Sequence, residues 1–229
     1  MEGIDTSLEG WSEVLDAEKC ILGKKSVNKD INKAITHLKK AIDLKNPQAM
    51  YRLALLYIST PSLNEPLQTI LTLLTSSVAS SFTPKAKIPA LLALARLHQD
   101  GLLTEPSQPK TEAYLSEAMA LGSGEAALHL GTLHSLNPAL ASQISAQEFL
   151  SRAARLGTPS AREKLIKLLL KRREWDKVVE VLSDGIRARD EFCVGNYQEV
   201  MCEVEENRES EVLEVGEEVS EEGDDGGFG

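Results

Sequence analysis

Cysteine is scarce in this chain. Cys20, Cys193 and Cys202 are its only three, and none stands in a CxxC pair. A sparse, odd count argues against a disulfide framework and fits a reducing compartment. The opening residues, Met1 to Asp5, lack a basic stretch followed by an apolar run, so no ordinary secretory signal or basic transit peptide is read there. Position 2 is Glu and no prenylation cysteine closes the chain, which removes the common lipid anchors. Long apolar runs are missing as well. The one extended stretch without charge, Pro66 to Ser81, spaces Leu67, Ile70, Leu71, Leu74 and Val78 helically, with hydroxyls on its other face. That pattern is an amphipathic helix, not a membrane span, which needs about 20 mainly apolar residues. Together these absences point to a cytoplasmic or nuclear protein.

Positive charge is also lacking. The formal net charge is −10 over 229 residues. From Glu203 onward there are 12 acidic residues against one basic residue, Arg208. Subtracting these from the totals of 35 and 25 leaves 23 acidic and 24 basic residues in 1–202, a body near +1. Nucleic-acid binding needs a clustered cationic face, so no nucleic-acid partner is expected. The acidic stretch 203–229, low in hydrophobicity and Gly-rich at its end, is read as a disordered tail that solubilises the chain or contacts a basic partner.

Catalytic constellations are missing too. There is no nucleophile elbow, HExxH, Walker lysine or kinase signature. Gly122-Ser123-Gly124 follows a helix and not a strand, which is the wrong context for a phosphate loop. His129 and His134 are five apart, so they do not share a helix face as a metal pair. No enzyme activity, cofactor or metal is expected.

What is present is helical. Alternating β-branched runs are almost absent, and apolar residues recur at spacings of three and four. The nine prolines fall between or at the starts of these runs, marking short helices. The helices repeat. Ala118, Gly122, Ala126, Leu130 and Gly131 recur 35 residues later as Ala153, Gly157, Ala161, Leu165 and Ile166. They recur 77 residues earlier as Ala41, Lys45, Ala49, Leu53 and Ala54, followed by Tyr57. A second, degenerate unit ends in Ala90, Leu94 and His98, after a longer loop over Phe82–Lys87. His98 and His134 stand where Tyr57 does, so packing accounts for them. The alanines are small where antiparallel helices cross. The glycines follow a helix end, where a left-handed residue satisfies the last carbonyls; Lys45-Asn46 holds that place in the first unit, with Asn the tolerant residue. Trp11, Leu15, Ala17 and Ile21 suggest an N-terminal capping helix, and Trp175–Leu182 with Phe192 and Val194 a C-terminal one. The body 1–202 is therefore expected to be an all-α, right-handed solenoid of antiparallel pairs.

The unit Thr111–His134, with Ala34–Tyr57 and Ala146–Leu169 in the same register, resembles the Sel-one-like repeat, a branch of the tetratricopeptide superfamily. That resemblance implies an adapter or scaffold that binds proteins on a face built by the first helix of each pair. His37, Lys40, Glu117, Arg152 and Arg155 are first-helix residues that the repeat does not fix, and they are the candidate contacts for a peptide or helical segment. Two alternatives are carried: a regulatory or assembly subunit of a larger enzyme or ubiquitin-ligase complex, and an RNA-binding helical repeat, which the charge disfavours.

Overall fold

In the computed structural model the described residues, 9–23, 30–101, 105–136 and 143–221, form twelve α-helices and no strand. In order they are α1 (Trp11–Leu22), α2 (Ile31–Asp43), α3 (Pro47–Ser59), α4 (Leu67–Ser80), α5 (Pro84–Asp100), α6 (Gln108–Ala120), α7 (Gly124–Leu136), α8 (Gln143–Arg155), α9 (Ala161–Lys171), α10 (Trp175–Arg187), α11 (Glu191–Gly195) and α12 (Tyr197–Glu221). A 3-10 turn, Pro61–Leu63, follows α3. The chain divides into two compact units, Met1–Ala126 and Ala127–Gly229, and the division falls inside α7. In the first unit each of α1 to α5 packs on the next. In the second, α8, α9 and α10 pack in sequence, α11 lies against α9 and α10, and α12 lies against α10.

Five first helices share one buried pattern at i, i+4 and i+7, the spacing that puts three side chains on one helix face. The triplets are Ala34-Leu38-Ala41, Ile70-Leu74-Ser77, Thr111-Leu115-Ala118, Ala146-Leu150-Ala153 and Val178-Leu182-Gly185, all buried. Each fully buried leucine contributes roughly 1.5–3 kcal/mol. The last residue of each triplet is small, and in the second unit of the repeat that residue is Ser77, whose hydroxyl donates to the Pro47 carbonyl at 2.8 Å. The second helices return Ala49, Ala126, Ala161 and Cys193, eight residues after the small residue, again fully buried. Leu53, Leu94, Leu130 and Leu165 are buried behind them. The C-terminal segment α10–α11 thus keeps the register as far as the two alanine places, which Gly185 and Cys193 fill, and loses it at Tyr197, exposed where the other second helices bury a leucine.

The turns repeat as closely as the helices. After α2, α6, α8, α9 and α10 a residue with positive φ bonds back three residues, and the next N–H reaches back five, the Schellman closure of a helix end. The positive-φ residues are Lys45, Gly122, Gly157, Arg173 and Arg189. The five-residue bonds run to Ala41, Ala118, Ala153, Leu169 and Gly185, at 2.9–3.1 Å. Gly122 and Gly157 take the left-handed conformation expected of them, at φ 93 and 70. In the first unit it is Lys45 that adopts it, at φ 61, and not Asn46. Asn46 is buried and extended (φ −74), because its carboxamide oxygen accepts from the N–H groups of Gln48 and Ala49 at the start of α3. Its Nδ2 donates to the Glu9 carbonyl at 3.0 Å, which ties the approach of α1 to the start of α3. A cap on the following helix outweighs the side chain's tolerance of positive φ.

Three further expectations change. The loop placed over Phe82–Lys87 is short: Thr83 accepts from Ala86 N–H, Pro84 fills the first helical position, and α5 runs 17 residues with Pro89 inside it. Pro89 sits near the helix start, so the ladder loses one bond and continues. In α1 the buried face is Val14, Ala17 and Cys20, while Leu15 is exposed. Finally, packing does not end at residue 202. Val204 is 1% exposed in a core shared with Val178, Leu182 and Cys193, Arg208 pairs with Asp176 of α10, and the helix continues to Glu221. The one cation of the acidic stretch is the residue that pins it. Residues 222–229, the end of the expected tail, lie outside the described residues.

Candidate partner-binding clefts

The second unit has a cleft of about 320 Å³ whose walls are two first helices, α8 and α10, and whose floor is α9. From α8 come Gln147, Ser151 and Arg155; from α9, Arg162 and Leu165; from α10, Lys177, Glu180 and Asp184. Most of these charges are already anchored. Arg162 Nη1 donates to Asp190 Oδ2 at 3.0 Å, with both side chains about 15% exposed. Asp190 also caps α11 by accepting from Cys193 N–H. Burial pushes the Asp190 carboxyl up, but the bonds from Cys193 N–H and from Arg162 outweigh it, and the carboxyl is held below its ordinary value. Lys177 is held by Glu174 at 2.5 Å, Asp184 by Arg187 at 3.1 Å, and Gln147 accepts from Arg172 at 3.2 Å. Arg155 and Glu180 have no ion pair among the described residues. The cleft therefore offers one cation and one anion with unspent pairing capacity on a framework of fixed charges.

Of the five residues singled out in the sequence, Arg155 lines this cleft, and Arg152 is exposed on the same helix. Lys40 and Glu117 are exposed on α2 and α6, and neither lines the α8–α10 cleft. His37 has a different role: its Nδ1 lies 2.5 Å from Glu13 Oε2, so it joins α2 to α1, just as Arg52 of α3 pairs with Glu18. Sequence reasoning missed Arg162, Lys177 and Glu180. Arg162 directly follows the repeat alanine Ala161, and Lys177 and Glu180 flank Val178 of the fifth triplet, so completing that triplet was the signal available. A second cleft, about 520 Å³, lies between the second helices α3 and α5; Tyr51, Leu55, Ile88 and Leu92 line it. Leu55 and Leu92 fall outside the repeat positions, and nothing in the spacing marked them.

His98 and His134 pack against aromatic rings. His98 is buried and stacks on Tyr114 at 5.8 Å between ring centres, and burial followed by the charge of Lys110 lowers its pKa. His134 meets Phe149 edge-on at 5.2 Å. Among the described residues no cluster of His, Cys, Asp and Glu could hold a metal ion, and no helix is long and apolar enough to cross a membrane.

No protein-family model and no curated protein matches the sequence. Solved structures do match. A Sel1 repeat protein from Oxalobacter formigenes superposes with a TM-score of 0.63 at 18% identity, over 82% of this chain and 76% of that one. A protective antigen of uropathogenic Escherichia coli strains, displaying an SLR fold, superposes with a TM-score of 0.57 at 21% identity. It covers 72% of this chain, which spans about a third (34%) of that protein. These likenesses show the fold: an all-α helical-repeat arrangement of the Sel1-like kind, as the resemblance in the repeat motifs implied.

Proposed function

We propose that this chain is a non-enzymatic scaffold that binds a peptide or helical segment of a partner protein on the face built by its first helices. The observation that carries the reading is the α8–α10 cleft. Its two walls are first helices, its floor is a second helix, and Arg155 faces it with its charge unpaired. Such a cleft suits polar recognition: shape from Leu165 and Ala154, direction from Arg155 at one wall and Glu180 at the other. A role as an assembly or regulatory subunit of a larger complex is the same chemistry seen from the partner's side. The acidic stretch would add long-range attraction for a basic partner, and residence in the cytoplasm or nucleus fits the sequence.

The test is co-purification of partners with the full chain and with Arg155→Glu and Lys40→Glu/Arg152→Glu variants whose helix content is unchanged. Each reversal is expected to weaken at least one partner by about tenfold, the scale of a lost charge pair at an interface. If every partner survives all three reversals, the first-helix face is not the binding face.

A further inference from the structure

The second unit holds another cleft, of about 550 Å³, between α9 and α12. Its origin lies in a broken repeat. The other second helices, α3, α5, α7 and α9, run 13, 17, 13 and 11 residues without interruption. The fifth, α11, stops after 5 residues at Gly195. Asn196 (φ −113, ψ 14) bends the chain, donating from both its backbone N–H and its Nδ2 to the Phe192 carbonyl at 2.9 Å. The continuation, α12, lies on α10 and is held there by Val204 and the Arg208–Asp176 pair. Because the bent helix follows α10, a groove opens along α9.

The groove has a defined chemistry. Leu170 and Phe192, both half-buried, form an apolar floor. Lys167 and Lys171, four apart on α9, make one exposed rim; Glu199 and Glu203, four apart on α12, make the other. Lys167 also bonds Glu163 at 2.6 Å, while Lys171, Glu199 and Glu203 have no ion pair among the described residues. Two like charges spaced i, i+4 on each wall form two rows of opposite sign.

We infer that this cleft takes a short amphipathic helix of a partner protein, with an apolar stripe set on Leu170 and Phe192, a carboxylate row facing the lysines and a cationic row facing the glutamates. Each row of i, i+4 charges spans about 6 Å, just over one helical turn, so two turns of a docked helix, about 11 Å, are enough to cover it. The opposed rims decide against uniformly charged ligands: an anionic lipid surface or a nucleic acid drawn to Lys167 and Lys171 meets Glu199 and Glu203 across the groove. The inference rests on the reading of this chain as a protein-binding scaffold, but it concerns a separate face.

The test uses the full chain and three fluorescent, stapled helical peptides of about 12 residues, sharing one leucine stripe. Their flanks carry Glu on one side and Lys on the other, Glu on both, or Lys on both. By anisotropy the mixed peptide is expected to bind about tenfold tighter than either uniform one, since each uniform peptide sets like charges against one rim. Lys167→Glu/Lys171→Glu makes both rims acidic and should transfer the preference to the Lys-flanked peptide; Lys167→Gln/Lys171→Gln should bring the mixed and Lys-flanked peptides level, with the Glu-flanked one still the weakest. Both pairs are surface changes, and unchanged circular dichroism shows that the fold is intact. The inference is overturned if no peptide binds, if all three bind alike, or if the preference survives the reversal. It is equally overturned if sedimentation shows that the lysine variants abolish a dimer, or if anionic vesicles bind the chain more tightly than the mixed peptide. Arg155→Glu should leave the mixed peptide's affinity unchanged, so failure here and failure of the first-helix reading are told apart.

Discussion

Gly185→Ala is the most informative single change in the packed core. In three of the other repeats the same position is Ala41, Ala118 or Ala153, and in the fourth it is Ser77, so alanine would be the expected residue. At position 185, however, a Cβ would lie 2.2 Å from Cys193 Sγ, 2.7 Å from Cys193 Cβ and 3.0 Å from Arg162 Cδ. Carbon and sulfur need about 3.5–4.0 Å, so the thiol must retreat by roughly 1.5 Å within a fully packed site. Overpacking of this kind costs about 1–3 kcal/mol. Replacing a helical glycine returns about 1 kcal/mol of propensity. The net expectation is a loss of about 0–2 kcal/mol. The partner change gives the sharper test. Cys193→Ala alone removes a buried sulfur and should cost about 1 kcal/mol. On the Gly185→Ala background it removes the clash and should stabilise. Urea unfolding followed by Trp175 fluorescence, with Trp11 replaced by Phe, reads the second unit by itself. A coupling of about 1–2 kcal/mol is expected. If the two substitutions add to within about 0.5 kcal/mol, Gly185 and Cys193 are not the interlocked pair described above.

Ending the chain after Glu203 removes Val204 and the Arg208–Asp176 pair, so its thermal midpoint should fall, whereas ending after Arg208 should leave it unchanged; equal midpoints would mean that α12 adds nothing to the core. Lys45→Gly relieves a left-handed lysine at φ 61 and should raise stability by about 0.5–1 kcal/mol in urea unfolding, against a loss if Lys45 were ordinary helix. In the native state a disulfide reagent should modify Cys202, which is exposed, while Cys20 and Cys193 react only on unfolding. Burial, aided by the charge of Asp190, pushes the Cys193 thiol up to about 11 from 9.0. The folded chain therefore holds that proton more tightly than the unfolded one. The stability linked to it is fully present below about pH 9 and lost as pH rises towards 11. The urea midpoint of Cys193→Ala should consequently fall less steeply with alkaline pH than that of the unsubstituted chain.

The helices and their register were legible because the physics behind them is local and periodic. Leu38, Leu115 and Leu150 recur at one phase, and small residues follow at the crossing. Where chemistry substituted for a letter, the signal vanished. Ser77 replaces alanine with a hydroxyl bonded to Pro47, and Gly185 with Cys193 exchanges volume between partners, so the second and fifth copies looked degenerate or partial. The turns at Arg173 and Arg189 were invisible because long cationic side chains do not advertise positive φ. The candidate site was only partly legible. Arg155 could be placed from its phase on α8, but a cleft is formed by three helices, and which charges remain unpaired depends on contacts such as Arg162 with Asp190, 28 residues away in sequence. The acidic composition after Glu203 was read as disorder because it concealed the two residues, Val204 and Arg208, through which α12 is fastened.

That fastening has an electrical consequence. Beyond Val204 the helix continues for 17 residues to Glu221, about 26 Å at 1.5 Å per residue. Glu205, Glu206 and Glu209, mounted on a helix rooted at Val204 and Arg208, do not average into a diffuse cloud. They make a negative pole fixed on one bearing from the core. An approaching cationic partner would feel a torque as well as a pull and arrive already turned, and this aligning effect should shrink with the Debye length as salt is added.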